Sequence, residues 1–320
     1  MKNILPHVYY LFIGFISSSV FTPLSIYIGN RFKILDKPHE RRGEREKITP
    51  KAIPRTGGLT IYFSFLIISI VLYIINPSLE ILSLILGGTV VFLTGLIDDK
   101  FNIRPWQKLL GEIGGAVIPI LFGIKVNFIT NPQGGYITLG WLSIPFTLLW
   151  VIGITNAINL IDGLDGLASG VVGIVTATLA FVAIEKGLFI VASLCFGLTG
   201  LTLGFLMFNF PPAKVYLGDS GSLLLGFIVG EIAVWGALKT TTSVILFVAI
   251  LALGFPIVDT FSSIIRRARK GRNIFEGDME HIHYKLLFSG LKQEQVILIL
   301  YLVTIFFSIL SIIILKRFSL

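Results

Sequence analysis

Charged residues are scarce in this sequence, and the shortage excludes an ordinary soluble protein. Asp, Glu, Lys and Arg make up 14% of the 320 residues, whereas soluble proteins carry about 25%. Hydrophobic residues account for 54%, and the mean hydropathy is +0.87. The composition therefore predicts an integral membrane protein without a soluble domain of consequence.

The scarcity of cysteine and the absence of a P-loop exclude two further classes of protein. The single cysteine, Cys195, lies in an apolar run, so a disulfide framework is excluded. The sequence has no G-x-x-x-x-G-K-[ST] loop, so ATP hydrolysis of the P-loop kind is not expected. The net charge of +8 could indicate nucleic-acid binding. Because no soluble basic domain carries that charge, the orientation of membrane loops explains it better, and we expect no nucleic-acid partner.

Ten apolar runs approach or exceed the roughly 20 residues that a helix needs to cross a bilayer. They cover residues 5–28, 58–75, 79–97, 106–123, 142–160, 168–184, 188–206, 222–238, 243–262 and 294–315. If residues 31–56 are cytoplasmic, 20 of the 26 Lys and Arg lie in loops on that side, as the positive-inside rule requires. The sequence thus predicts an all-α, multi-pass protein of the plasma (inner) membrane, with both termini outside.

The expected domain organisation is one membrane domain over residues 1–320, with its polar motifs on the cytoplasmic face. The expected cytoplasmic loops are about 30–56, 98–105, 161–167, 207–221 and 263–293. On this topology every Asp of the chain falls at or beside a cytoplasmic helix end. Ionisable groups next to hydrocarbon are rare unless they serve a function, so the cytoplasmic face is the expected active site.

The polar residues there suit phosphoryl transfer. Carboxylates and amides are oxygen ligands that select a hard cation such as Mg²⁺. Many Lys and Arg lie in the same loops, and transfer between anionic partners depends mostly on positioning and charge neutralisation. The four stretches that carry these groups are GLIDDK (95–100), NAINLIDGLDGLASG (156–170), FNFPPAKVYLGDSGS (208–222) and RRARKGRNIFEGDMEHIHYKLL (266–287).

The order and spacing of these motifs resemble a known family, the polyprenyl-phosphate N-acetylhexosamine-1-phosphate transferases of the glycosyltransferase 4 type. The resemblance covers most of the chain. It implies transfer of a sugar 1-phosphate from a UDP-sugar to a polyprenyl phosphate at the cytoplasmic face, with release of UMP. It also implies Mg²⁺, or Mn²⁺ in its place, as cofactor, and it leaves open whether the protein is a monomer or a homodimer.

The resemblance assigns roles to twelve residues. It implies that Asp219 and Asn159 bind the metal ion, and that the nucleotide sugar contacts Asp165, Tyr216 and Asn209, with Asn156 and Asp162 beside them. The implied catalytic residues are Asp98 and Asp99, which activate the lipid phosphate, Lys108 near the phosphates, and the diphosphate-binding pair His281 and His283.

Several of these residues have a simpler reading. Asp162 and Asp165 precede glycines, a combination that is common in turns, and Tyr216 could anchor the chain at the membrane surface. His281 and His283 do not share a helix face, so they must lie on non-helical backbone to act together. As zinc ligands they lack a third partner nearby, which makes a zinc site improbable.

The sequence leaves alternatives open for the donor sugar and for the class of function. DKPHERRG (36–43), IPRTGG (53–58) and the H-x-H motif resemble the branch that moves GlcNAc 1-phosphate to undecaprenyl phosphate, for polymers such as lipopolysaccharide or teichoic acid. The alternative branch, phospho-MurNAc-pentapeptide transferase of peptidoglycan synthesis, usually shows three consecutive His. A secondary transporter is an alternative of another class, but its charges would lie near the bilayer midplane in matched halves. The acids of this chain gather at one face instead.

Overall fold

The computed structural model describes residues 4–36, 52–130, 135–239, 244–271 and 280–317. These residues form a helical bundle, which confirms the predicted all-α class. The helices are α1 Leu5–Arg31, α2 Gly57–Ile75, α3 Leu79–Phe101, α4 Pro105–Leu121, α5 Ser143–Ile161, α6 Leu167–Glu185, α7 Phe189–Asn209, α8 Gly218–Leu238, α9 Val244–Ala252, α10 Gly254–Arg269, α11 Ile282–Phe288 and α12 Gln293–Arg317. A 3₁₀ turn, Gly140–Leu142, precedes α5.

Two short antiparallel strand pairs join the helices. Strands β1 Leu35–Asp36 and β2 Ile53–Pro54 pair before α2, and β3 Phe128–Thr130 pairs with β4 Tyr136–Thr138 between α4 and α5. The predicted loop 30–56 lies partly outside the described residues, which omit 37–51. The predicted loop 263–293 contains the end of α10 and all of α11, and its residues 272–279 are likewise outside the described part.

Helix α8 forms the centre of the bundle. It packs against α2, α3 and α5, and nearly all of its side chains are buried, among them Phe227 and Trp235. Close approach of α3 depends on Gly95, since a Cβ there would lie 2.4 Å from the Cα of Ser220. The first turn of α8 is therefore held against the last turns of α3, at the end of the bundle where the polar motifs meet.

Eight of the described helices are long and apolar enough to cross a bilayer, or nine if α9 and α10 count as one span. The ten predicted runs all fold into helix, but two of them differ from a simple span. Helix α4 has only 17 residues. The expected straight span 243–262 bends by 68° between α9 and α10. Pro256 lacks the N–H that would bond to Ala252, one turn earlier, which accounts for a break at this point.

Candidate active site

Six polar side chains from five helix ends form one hydrogen-bonded group, which we call the cation–carboxylate cluster. Its members are Arg55 before α2, Asp98 and Asp99 in the last turn of α3, Lys108 in the first turn of α4, Asn159 in the last turn of α5 and Asp219 in the first turn of α8. The structure thus brings together residues from three motifs that are far apart in the sequence. All members except Arg55 are predicted site residues.

Lys108 links three helices within the cluster. Its Nζ lies 3.1 Å from Oδ1 of Asn159, 3.2 Å from Oδ1 of Asp219 and 3.3 Å from Oδ2 of Asp98. The Asn159 amide nitrogen donates to the same Asp219 oxygen at 2.7 Å and to Oγ of Ser222 at 2.8 Å. The Lys108 side chain is mostly enclosed, so its ammonium is a fixed positive charge among oxygens.

The two adjacent carboxylates of α3 have different partners. Asp99 is fully buried and caps α8, because its carboxylate accepts hydrogen bonds from the backbone N–H of Asp219 at 2.8 Å and of Ser220 at 2.9 Å. The Ser220 hydroxyl donates to it as well, at 2.5 Å. Gly218 precedes them with φ +74, and a Cβ there would meet the Asp99 carboxylate at 2.8 Å. Asp99 is therefore a positioning residue for α8.

Asp98, by contrast, faces Lys108. Its Oδ1 accepts from the backbone N–H of Ile103 at 2.9 Å, and its Oδ2 pairs with Lys108. The chain can reach this position because Asn102 ends α3 in a left-handed conformation, with φ 48, and turns back beneath it. Of the predicted pair, only Asp98 presents an oxygen to Lys108, which leaves it as the carboxylate that could act on a substrate.

Arg55 is the second cation of the cluster, beside Lys108. Its Nη2 lies 2.6 Å from Oδ2 of Asp219 and its Nε lies 3.0 Å from Oδ1 of Asp99. Burial opposes a charge at this position, but the carboxylates of Asp219 and Asp99 raise the pKa of Arg55 above its usual value. Sequence reasoning missed Arg55 because it belongs to a basic run that topology alone explains. Its place in IPRTGG was the available signal.

The loop between α5 and α6 lies beside the cluster. Burial, followed by the nearby Asp219 carboxylate, raises the pKa of Asp162 well above its usual value. Burial also raises the pKa of Asp165, whose Oδ2 accepts from the backbone N–H of Ala213 at 3.1 Å. Gly166 ends this loop with φ +75, in agreement with the turn expected from its sequence.

Asn209 has a mainly structural place. Its Oδ1 accepts from the Gly166 backbone N–H at 3.0 Å and from the Ser169 hydroxyl at 2.9 Å. Its amide nitrogen donates to the Val215 carbonyl at 2.9 Å. The side chain is 2% exposed, and it ties the start of α6 to the loop after α7. Its contact with the nucleotide stays a prediction.

Asn156 and Tyr216 each lie three residues before a member of the cluster, Asn159 and Asp219 respectively. Asn156 lies one turn deeper in α5 and donates to the buried carboxylate of Glu112 and to the Ile152 carbonyl. Tyr216 is half-buried, and its backbone joins the start of α2, because its N–H donates to Pro54 at 2.8 Å and its carbonyl accepts from Gly57 at 2.9 Å. These two hydrogen bonds hold the Tyr216 backbone against residues 54–57, the segment that contains Arg55.

The two histidines come together, although the non-helical backbone predicted for both is found only at His281. His283 lies in the first turn of α11. His281 is the extended residue before α11, and its ring stacks on that of His283 with centroids 5.5 Å apart. Burial, with a smaller effect of His281, lowers the pKa of His283 to about 4. In the described part of the chain, neither ring nitrogen of His283 has a hydrogen-bond partner. A Cβ on Gly163 would meet its Nε2 at 2.5 Å, so the motif packs on the Asp162 loop.

Asp259 is a second residue that the sequence reasoning left without a role. Its Oδ2 lies 2.7 Å from Nδ1 of His281, and its Oδ1 accepts from the backbone N–H of Ile282 at 2.8 Å. A carboxylate on one ring nitrogen holds the imidazole in a fixed orientation and sets its tautomer. The available signal was an Asp within an otherwise apolar span.

The donor atoms of the cluster fit Mg²⁺. In the described part of the chain no three His, Cys, Asp or Glu side chains converge on one point. The set that does converge is made of two carboxylate oxygens and one amide oxygen, from Asp98, Asp219 and Asn159, all within 3.3 Å of the Lys108 ammonium. Hard oxygen donors of this kind suit Mg²⁺, and the cation already lying among them shows that they favour positive charge.

Residues 81–237 match the family described as Glycosyl transferase family 4. The chain is also 36% identical over 298 residues to the probable undecaprenyl-phosphate N-acetylglucosaminyl 1-phosphate transferase of Bacillus subtilis, which covers 92% of this chain and 81% of that protein. The chain belongs to glycosyl transferase family 4. The resemblance inferred from the sequence motifs is thereby confirmed.

Other relatives in family 4 differ in the substrate that their names state. The chain is 32% identical to the decaprenyl-phosphate N-acetylglucosaminephosphotransferase of Mycobacterium leprae, over 86% of this chain and 75% of that protein. It is 32% identical to the phospho-N-acetylmuramoyl-pentapeptide-transferase of Prochlorococcus marinus, over 90% of this chain and 87% of that protein. The family match includes the cluster from Asp98 to Asp219, while Arg55 and the histidines lie outside it.

Proposed function

We propose that this chain transfers GlcNAc 1-phosphate from UDP-GlcNAc to undecaprenyl phosphate and releases UMP, as a step of cell-envelope polysaccharide synthesis. The observation that carries the proposal is the cation–carboxylate cluster, built from residues that the family resemblance singles out. The higher identity to the Bacillus subtilis relative than to the pentapeptide transferase favours GlcNAc as the sugar.

The reaction needs positioning and charge neutralisation more than covalent help from the protein. An oxygen of the lipid phosphate attacks the phosphorus that carries the sugar, and the bond from that phosphorus to the bridging oxygen of UMP breaks. Lys108 and Arg55, the two cations of the cluster, would neutralise charge on this diphosphate. The imidazolium form of His281, held in orientation by Asp259, would donate a hydrogen bond to a diphosphate oxygen.

Mg²⁺ belongs to the proposal, with Asp98, Asp219 and Asn159 as the residues that would hold it. When bound, it would neutralise charge on the diphosphate as the bridge breaks. Asp99 would act through α8, because it fixes the backbone on which Asp219 is carried. Mn²⁺ could take the same place, since it also accepts oxygen ligands.

The topology is also a proposal. With α4 as a short span and the bent pair α9–α10 as one span, the chain would cross the membrane ten times, with both termini outside. The concentration of 20 of the 26 Lys and Arg in loops on one side supports this orientation. The cluster would then lie at the cytoplasmic face of the plasma membrane, where UDP-sugars are available.

The test is turnover by the purified protein in detergent. Undecaprenyl phosphate and Mg²⁺ are combined with either UDP-GlcNAc or UDP-MurNAc-pentapeptide, released UMP is quantified, and the lipid product is identified by mass spectrometry. We expect product from UDP-GlcNAc alone and none in EDTA. Asp219→Ala should abolish turnover, whereas Glu80→Ala, which removes an acid at the opposite end of α3, should retain it.

Each of the other outcomes would contradict part of the proposal. Preference for the pentapeptide donor would assign the chain to the peptidoglycan branch. Full activity of Asp219→Ala or in EDTA would contradict the metal assignment. A folded protein that releases no UMP from either donor would favour the transporter alternative, because a transporter makes no lipid product.

A further inference from the structure

The Lys108 ammonium lies at the point where the best metal ligands converge. Its three oxygen partners belong to Asp98, Asn159 and Asp219, which come from α3, α5 and α8. Each lies between 3.1 and 3.3 Å from Nζ. They are the same three oxygens that the proposed function gives to Mg²⁺, so two cations have one set of ligands.

We propose that Lys108 and the metal ion compete for these oxygens, and that binding of the ion releases the Lys108 ammonium toward the anionic substrate. This inference rests on the proposed function for the identity of the metal site. Two like charges about 4 Å apart in a protein repel each other strongly. An ion bound to all three oxygens therefore leaves no favourable position for the ammonium between them.

The geometry explains how the Lys108 ammonium can occupy the site without the ion and leave it when the ion binds. Without the ion, Lys108 keeps Asp98 and Asp219 from repelling each other, since the two carboxylates share its charge. Arg55 cannot replace it there, because Arg55 pairs with the other Asp219 oxygen, Oδ2, and with Asp99. The backbone of Lys108 lies in the first turn of α4, and its side chain is flexible. The ammonium can therefore move while the backbone stays in place.

The experiment measures metal binding without substrate. Metal-stripped protein in detergent is titrated with Mn²⁺, and free Mn²⁺ is followed by electron paramagnetic resonance for the wild type, Lys108→Met and Lys100→Met. Lys100 is the matched control, because it is an exposed cation at the end of α3 that lies over the Phe101 ring, 5.1 Å from its centroid. We expect the Kd of Lys108→Met for Mn²⁺ to fall about tenfold or more, since a repelling charge is removed, and that of Lys100→Met to stay near the wild-type value.

A second measurement uses the wild-type protein and does not depend on the variant folding. An amine-reactive reagent is applied with and without Mg²⁺, and modification of Lys108 and Lys100 is quantified by peptide mass spectrometry. We expect Mg²⁺ to increase modification of Lys108 and to leave that of Lys100 unchanged, because the ion displaces an ammonium that is otherwise held among oxygens.

The outcomes separate this inference from the proposed function. If wild-type protein binds Mn²⁺ but Lys108→Met binds it equally or more weakly, the competition is wrong and the metal site stands. Protection of Lys108 by Mg²⁺ would overturn it in the same way. If the wild type binds no Mn²⁺ at all, the metal assignment is wrong, and this inference is wrong with it.

Discussion

Asp98 and Asp99 are neighbours in the chain, yet their side chains contact different parts of the molecule. Asp99 holds two backbone N–H groups and a hydroxyl of the α8 start, while Asp98 holds Lys108. In the sequence, the two adjacent acids suggest one shared role. The separation arises because successive residues on a helix point about 100° apart, so one carboxylate turns toward α8 and the other toward α4.

Removing the charge of Asp99 should therefore cost more stability than removing that of Asp98. Asp99→Asn places an N–H₂ group against N–H donors and leaves at least one buried donor unsatisfied, at a cost of about 1–3 kcal/mol. Asp98→Asn loses one ion pair at the edge of the cluster, and its midpoint should change less. Thermal unfolding of both variants in the same detergent measures the difference. Equal midpoints would show that Asp99 does not support α8.

Asp98 should matter by position, not as a base. A phosphate monoester has a second pKa of about 6, so most of the lipid phosphate is already dianionic at neutral pH. A general base contributes only where a proton moves in the transition state. We expect Asp98→Asn to be impaired at pH 8 nearly as severely as at pH 6, with UMP release under saturating lipid as the measurement. Recovery toward the wild-type rate above pH 8 would favour the base.

His283 should make the protein less stable in acid. Its pKa in the folded protein is about 4, against an ordinary value of 6.5, so the unfolded chain takes up a proton at a higher pH than the folded one. The stabilisation is complete above pH 6.5 and is lost as pH falls toward 4, with on the order of 2 kcal/mol lost by pH 5. Unfolding midpoints at pH 7.5 and pH 5 should differ less in His283→Gln than in the wild type. An equal difference in both would contradict the neutral, buried state.

At the scale of elements, α1 and α7 pack so closely that the backbone of α1 lies against a glycine of α7. A Cβ on Gly200 would lie 1.9 Å from the Leu11 carbonyl oxygen, whereas a Cβ on Gly153 in α5 would meet nothing within 4 Å. Gly200→Ala should cost about 1–3 kcal/mol through overpacking. Gly153→Ala should be neutral or stabilising by up to about 1 kcal/mol, because alanine favours helix. Thermal unfolding compares the two. A neutral Gly200→Ala would show that α1 can move away without penalty.

The helices were predictable because apolar runs of membrane length are a strong local signal. The bend before α10 was less so, since it depends on Pro256 within a run that hydropathy alone reads as continuous. The site divides in the same way. Asp219 lies in a quoted motif and Lys108 was assigned through the family resemblance, but Arg55 acquires its role only when α2 and α8 meet, and Asp259 only when α11 docks on α10. Local sequence patterns mark these last two residues, but they do not identify the partner that a distant segment supplies.

For the whole molecule, the orientation in the membrane is the prediction that bears most on function. The one native cysteine, Cys195, is fully buried, so introduced cysteines can be labelled against a silent background. In intact cells a membrane-impermeant maleimide should label Lys186→Cys, between α6 and α7. Lys292→Cys, before α12, should react only after permeabilisation. The reverse pattern would place the cluster outside and contradict a cytoplasmic site.

The cap that Asp99 forms on α8 has a consequence for biosynthesis. Asp99 and the Asp219 amide that it accepts from are 120 residues apart, so at about 5–20 residues per second the ribosome needs roughly 6–24 s to deliver the partner. During that interval a finished α3 carries the Asp99 carboxylate with no α8 to receive it. Because Asp99 lies in the last turn of α3 and not at mid-membrane, it can remain in contact with water, where a charged carboxylate costs little. The order of synthesis thus restricts where in a span an early acid can lie if its partner is made late.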